Sequence, residues 1–182
     1  MLSAAAQAAS GHASYPSDVA VTYTAQHSLK AATNQGFWTA GGSLEVGVPV
    51  FHDLGPAINV TGSHAGSMGS SGVPLSLVTV TVGPRYRMRV SNRVSVYGEA
   101  LVGLARGFQS LFPDANQLAP NTRAVSFALQ AGGGVDYQLS HAFALRPVSI
   151  AYVRTQLPNG TNNTQNSLQL GAGLSWRFGK SR

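Results

Sequence analysis

Residues 166–182, NSLQLGAGLSWRFGKSR, contain two interleaved sets of residues. The first set is aliphatic or aromatic and consists of Leu168, Leu170, Ala172, Leu174, Trp176 and Phe178. The second set is small or polar and consists of Gln169, Gly171, Gly173, Ser175 and Arg177. Because successive side chains of a β-strand point to opposite faces, this period of two predicts a strand with one apolar face. The rest of the chain has to decide whether that face meets a protein core or lipid.

The same alternation recurs along the whole chain and predicts eight strands. One example is residues 78–88, where Val78, Val80 and Val82 alternate with Thr79 and Thr81. The segment 143–157 is also strand-like, although its alternation is blurred around Pro147. No run approaches the roughly 18 apolar residues of a membrane helix, so any contact with lipid is made by strands.

The predicted connections alternate between short and long. After strands two, four and six they are HDLGP, SNR and LSHA. After strands one, three, five and seven they are AQHSLKAATNQG, AGSMGSSGVP, SLFPDANQLAPN and PNGTNNTQN. Short turns at one end and long loops at the other are typical of transmembrane β-barrels. The pattern predicts an all-β protein, an eight-stranded antiparallel up-and-down transmembrane β-barrel in a bacterial outer membrane.

The composition favours a surface that is largely not in water. Charged residues make up 10% of the 182 residues, and the only lysines are Lys30 and Lys180; soluble domains carry about 25% charged residues. The formal net charge is +6, but the arginines are dispersed, so we expect no nucleic-acid partner. The chain has no cysteine and therefore no disulfide framework.

The second face of the strands distinguishes a membrane barrel from a soluble, lipocalin-like ligand-binding barrel. In the soluble barrel that face would meet water and carry many Lys and Glu residues. Here it carries Gly, Ser, Thr, Ala and Gln, which fit the narrow interior of eight strands. Its few charges are Glu45, Arg85, Arg87, Glu99, Asp136 and Arg146. We expect them to pair as an interior network, because an unpaired buried charge is costly; the alternative is a gate in a narrow pore for small solutes.

Several stretches make the chain resemble a known family. They are VGPRYRM, VYGEALVGLARG, AGGGVDYQLSHAFALRPV followed by YVRT, and the closing LQLGAGLSWRFG. Together they resemble the outer-membrane β-barrel family, in particular small eight-stranded barrels similar to the membrane domain of outer-membrane protein A. The resemblance implies insertion by the barrel assembly machinery, which reads a terminal strand ending in an aromatic residue. The matching position is Phe178, and Trp176 and Phe178 would belong to an aromatic girdle at the inner interface.

Three arginines are predicted at the outer rim. Arg106 lies at least ten residues along strand five, Arg123 begins strand six after a long loop, and Arg154 lies near the outer end of strand seven. Arginine matches phosphate oxygens and can extend its charge to the headgroup level. The expected partners are therefore outer-membrane lipid and the phosphates of lipopolysaccharide; a solvated rim is the alternative. We expect a monomer.

An enzyme that modifies lipid A is the remaining alternative. Only His64, with Ser63 and Ser67 nearby, is predicted near the outer leaflet, and no carboxylate is predicted beside it to orient it. No cluster has metal-ligand spacing, so no metal, cofactor or catalytic residue is expected.

The chain divides into a barrel and two tails. The barrel is expected over residues 18–179, after a flexible N-terminal tail or signal remnant over 1–17 and before a short tail over 180–182. The tail includes an Ala-Gln-Ala triplet ending at Ala8, which is similar to the end of a secretory signal, but it lacks a basic start and a full apolar core.

Overall fold

The computed structural model describes residues 16–29, 36–51, 53–67, 72–112, 120–159 and 163–178. The expected signal remnant, most of the N-terminal tail and the C-terminal tail lie outside these residues. The described chain forms eight strands: β1 (Ser17–Ser28), β2 (Trp38–Gly47), β3 (Leu54–Ala65), β4 (Leu75–Arg89), β5 (Val94–Phe112), β6 (Asn121–Gln138), β7 (Phe143–Thr155) and β8 (Gln165–Phe178). Within the same residues no helix is long and apolar enough to cross a bilayer.

The strands form a closed antiparallel barrel in sequence order. Each strand pairs with its neighbours along the chain, and β1 also pairs with β8 from Ser17 opposite Phe178 to Ser28 opposite Ser167. Closure leaves no sheet edge unpaired, which a strand protein needs in a hydrocarbon environment that cannot hydrogen-bond the backbone. The predicted fold class, an eight-stranded up-and-down barrel, is confirmed.

The outward face of the barrel is apolar. In β8 the aliphatic and aromatic set points outward, with Leu174 54% and Trp176 56% exposed, while Ser175 and Arg177 are buried. The same division holds in β4, where Val80 and Val82 are each 48% exposed and Thr81 is buried. The apolar stripes therefore face lipid and the polar set fills the lumen, as in membrane barrels.

The lumen changes character along its length. Charged side chains fill its inner part, hydroxyl and amide side chains fill the middle, and a buried apolar cluster fills the outer part. The sequence pattern predicted the polar lining but not the apolar part. Several strands reach farther outward than expected, because residues from the predicted loops belong to them: examples are Gln26 and Ser28 in β1, Ala65 in β3 and Phe112 in β5.

A register shift resolves the blurred pattern in β7. The pairing with β8 shifts between Arg146 and Ser149, so two consecutive residues, Pro147 and Val148, both face outward. Such a bulge inserts one residue and resets the alternation. It also accommodates a proline, which has no N–H for the ladder. As a result Arg146 points into the lumen, where it is 1% exposed, and Ile150 still faces lipid.

Candidate functional site: the charge layer and the outer rim

The inner lumen holds four carboxylates and four arginines, here called the charge layer. Its members are Asp18, Glu45, Glu99, Asp136, Arg85, Arg87, Arg146 and Arg177. Seven of the strands supply these residues, and Asn59 of β3 joins through a hydrogen bond of 3.3 Å to Glu45. The layer therefore connects all eight strands across the lumen.

Glu45 is shared by two arginines. Its Oε1 lies 2.6 Å from Arg85 Nη2 and 2.6 Å from Arg146 Nη1. Arg85 also contacts Glu99 Oε2 at 2.7 Å through Nη2 and at 3.0 Å through Nε. All of these side chains are at most 5% exposed, so their charges are satisfied by each other. Charge-assisted contacts of this length are the strong class of hydrogen bond.

Asp136 and Asp18 complete the layer. Asp136 accepts a hydrogen bond of 2.8 Å from Arg146 Nε and lies 3.3 Å from Arg87 Nη2 and 3.7 Å from Arg177 Nη2. Asp18 Oδ2 accepts a hydrogen bond of 3.0 Å from Arg87 Nη2. The layer is thus a continuous network rather than a set of separate pairs.

Tyr97 lies across the lumen among the arginines. Its ring centre is 4.3 Å from the guanidinium carbon of Arg146, 4.9 Å from that of Arg85 and 5.7 Å from that of Arg87. Cations within about 6 Å of an aromatic face are attracted to it. A Cβ on Gly134 would lie 2.9 Å from the Tyr97 hydroxyl, so glycine at 134 leaves the space that the ring occupies.

The structure brings together all six residues of the predicted interior network, and it adds residues that the sequence reasoning missed. Asp18, Tyr97 and Arg177 were not assigned to the network, although the alternation places Tyr97 and Arg177 on the polar face. Asp18 is the second residue of β1. All three continue the alternate, lumen-facing positions of their strands, and extending that alternation to the strand ends could have identified them.

The three predicted rim arginines face outward on neighbouring strands. Arg106 is opposite Val125 and Arg123 is opposite Phe108 on the β5–β6 ladder, and Arg154 is opposite Leu129 on the β6–β7 ladder. All three are exposed, and none makes an ion pair with another described residue. On β6, Arg123 lies six residues farther toward the outer end than Leu129, the residue paired with Arg154. The three arginines therefore span a band rather than a single level.

The histidine considered for lipid A chemistry has a different neighbour from the one expected. His64 faces outward and Ser63 is buried in the lumen, so the two lie on opposite faces of β3. His64 Nδ1 instead lies 2.9 Å from Ser76 Oγ, which donates a hydrogen bond of 2.6 Å to Gln109 Oε1. A serine hydroxyl has one proton. In this arrangement the Ser76 proton is directed to Gln109 rather than to His64.

The aromatic residues of the closing strand lie at the inner end of the barrel. Trp176 stacks on Phe143 with ring centres 6.2 Å apart and meets Phe178 edge-on at 6.3 Å. Phe178 is 44% exposed, on the lipid side. Aromatic rings at this level form the interfacial girdle of membrane barrels.

Among the described residues, no group of three His, Asp or Glu side chains could hold a metal ion.

A closed barrel with an apolar outside, an aromatic inner rim and mutually paired charges inside is an integral outer-membrane barrel protein. The family assignment agrees: the model of the outer membrane protein beta-barrel domain matches residues 1–178. The chain therefore belongs to the outer membrane protein beta-barrel family, and its location is the bacterial outer membrane. No curated protein matches it.

Solved structures with the same fold are small bacterial outer-membrane barrels. Neisserial surface protein A is 17% identical, with 89% of this chain and 97% of that chain covered and a TM-score of 0.69. Ail, the attachment invasion locus protein of Yersinia pestis, is 18% identical over 91% and 99% of the two chains, with a TM-score of 0.56. OprG from Pseudomonas aeruginosa is 10% identical over 93% and 99%, with a TM-score of 0.56.

Proposed function

We propose that this protein is a non-catalytic surface barrel with a structural or surface-interaction role, whose lumen is closed to solutes. The charge layer carries this proposal. Its four carboxylates and four arginines cancel in formal charge, and Tyr97 occupies the space between them. An eight-stranded barrel has an interior just wide enough for side chains to fill. The paired charges therefore support a packed plug more than a conducting path.

Single-channel recording in planar bilayers tests the closed lumen. The folded protein is expected to give no discrete conductance steps. Thr81→Val, which changes a lumen residue outside the charge layer, is recorded beside the parent as the control variant. Reproducible steps from the parent would favour the alternative function, a narrow pore for small solutes. The protein's migration on a detergent gel should differ between boiled and unboiled samples, which establishes that the barrel in each recording is folded.

At the outer rim we propose that Arg106, Arg123 and Arg154 bind phosphate groups of lipopolysaccharide and fix the depth of the barrel. The support is that all three face outward on adjacent strands and form no ion pair with a described carboxylate. An arginine at the interface can keep its stem in the apolar band and its fork at the phosphates. An anionic surface is the partner that such an unmatched positive band fits.

Replacing the three rim arginines with Gln tests this part of the proposal. The triple variant should retain less lipopolysaccharide on purification and should melt at a lower temperature in membranes that contain it, but not in neutral detergent. Arg89→Gln with Arg93→Gln, at the inner end, is the control for loss of positive charge. Equal retention by the triple variant and the parent would reject the phosphate site.

We further propose that the strand ending in Phe178 is the signal for the barrel assembly machinery and that the inserted protein is a monomer. The support is the position of the aromatic ring at the inner, lipid-facing end of β8. The hydrogen-bonded residues His64, Ser76 and Gln109 are proposed to have a structural role, because the Ser76 hydroxyl donates its proton to Gln109.

A further inference from the structure

From its outer to its inner end, the inward face of β4 carries first apolar, then hydroxyl-bearing and finally charged side chains. In order it carries Leu75, Leu77, Thr79, Thr81, Gly83, Arg85 and Arg87. Its two leucines are 3% and 6% exposed, as deeply buried as the threonines and arginines that follow. An apolar section, a hydroxyl section and the charge layer are therefore stacked along the lumen.

The apolar section is built by six neighbouring parts of the wall and is called the apolar cap. Its members are Phe37, Ala65, Leu75, Leu77, Ala105, Phe112, Ala128 and Leu157. They come from the outer ends of β3 and β4, from β5 and β6, and from residues just before β2 and just after β7. None of them is more than 9% exposed, so their side chains pack against one another at the outer end of the lumen, here called the outer mouth.

Phe112 enters the lumen through an irregularity in β5. The β5–β6 pairing shifts register between Phe108 and Phe112, and Gln109 has a φ of 60°. A bulge of this kind re-aims the side chains that follow it. The Phe112 ring then lies over Gly107, where an added Cβ would be 2.5 Å from the ring. The glycine thus provides the space for the largest residue type in the cap.

The section between the cap and the charge layer is polar. Thr61, Thr79 and Thr81 point into it, and the buried hydroxyl of Thr81 has no hydrogen-bond partner among the described residues. Buried hydroxyls favour contact with water when no protein group reaches them. This part of the lumen therefore has a different affinity for water from the apolar part above it.

We propose that the apolar cap is a second barrier, which closes the outer mouth to water and ions independently of the charge layer. Apolar constrictions exclude water, and a permeating ion would have to shed hydration that the apolar side chains do not replace. The inference deepens the closed lumen proposed above and concerns only its outer end. The lumen then has an ionic barrier on the inner side, an apolar barrier on the outer side, and a hydroxyl-lined section between them.

Thiol labelling tests the cap directly, because the chain has no cysteine of its own. Thr81→Cys introduces a single thiol into the hydroxyl section, and Gln109→Cys introduces one at the exposed rim as the reference. The probe is a small, charged methanethiosulfonate applied to the folded protein in detergent micelles, where it reaches both ends. With the cap intact, the thiol at 81 should react at least roughly a hundred-fold more slowly than the one at 109.

Leu75→Ala combined with Phe112→Ala should open the cap and accelerate labelling at position 81 by roughly ten-fold or more. The matched control, Val80→Ala with Val82→Ala, removes apolar volume from the lipid face of the same strand and should leave the rate unchanged. If the double cap variant fails the gel test for folding, Leu77→Thr replaces it, since this change extends the hydroxyl section outward by one residue.

Two results would overturn the inference. One is rapid labelling at position 81 in the intact barrel, at the rate seen at 109. The other is a folded cap variant that labels no faster than the parent, or no faster than the lipid-face control. Conductance by the parent would instead reject the closed lumen as a whole, so the failure of this inference and the failure of the proposed function are distinguishable.

Discussion

Neutralising Glu45 perturbs the charge layer at the carboxylate that makes its two shortest ion pairs. Glu45→Gln keeps the shape of the side chain but removes a charge shared by Arg85 and Arg146, each at 2.6 Å. Two charges about 4 Å apart attract by about 4 kcal/mol at an effective dielectric constant of 20. Much of that attraction offsets the desolvation of the charges. Breaking a buried pair therefore costs about 3 to 5 kcal/mol in net stability.

The structure places the expected loss for Glu45→Gln at the lower end of that range, about 3 kcal/mol. The reason is that each arginine keeps a second carboxylate: Arg146 retains Asp136 at 2.8 Å and Arg85 retains Glu99 at 2.7 Å. Among the described arginines, Glu99 contacts only Arg85 within 4 Å, and it also accepts a hydrogen bond of 3.3 Å from Gln130. Glu99→Gln should therefore cost about half as much, and the order of the two losses is itself a prediction.

Urea unfolding in lipid vesicles, followed by tryptophan fluorescence, measures both losses. The midpoints should fall in the order parent, Glu99→Gln, Glu45→Gln, with an unchanged slope against urea. Thr81→Val, which removes a lumen hydroxyl without changing the charge, should cost less than about 1 kcal/mol. Midpoints for both Gln variants within error of the parent would refute the reasoning, as would a larger loss for Glu99→Gln.

Two further predictions follow from close packing and from the inner rim. Gly103→Ala should prevent folding or lower the melting temperature strongly, because a Cβ at 103 would lie 1.9 Å from the Val80 carbonyl oxygen, whereas Gly62→Ala, with nothing within 4 Å, should fold like the parent in a gel-shift assay. Phe178→Ala should slow insertion into vesicles supplied with the assembly machinery, while Leu174→Ala, on the same face of β8, should not; equal rates for the two variants would contradict a signal at Phe178.

The alternation of β8 and its counterparts was sufficient to predict the strands, the facing of most residues and the barrel. Each of these depends on local pattern, since the polar and apolar sets are read from neighbouring residues. In β7, which residues face the lumen could be predicted from the alternation only as far as Pro147. The bulge that returns Ser149 to the inward face depends on the pairing with β8, which the residues of β7 alone do not specify.

The pairing within the charge layer could not be predicted in the same way. Arg146 meets Glu45 across 101 positions of sequence, and that contact depends on the register of every intervening strand. The apolar cap was missed for a different reason. The alternation places Leu77 on the lumen face, but a lumen expected to be polar throughout gives no reason to look for an apolar cluster there, and Phe112 lies in a predicted loop.

The charge layer takes its ion-pairing members from the strands, whereas the apolar cap reaches the last residues before the outer loops. This separation divides the protein into a part that determines folding and a part that is open to replacement. Foreign peptides inserted between Phe112 and Asn121 would leave both barriers untouched, while a graft that removed Phe112 itself would open the outer mouth. The barrel is therefore suited to display of exchanged segments on a cell surface, with the cap residues as the limit of what can be exchanged.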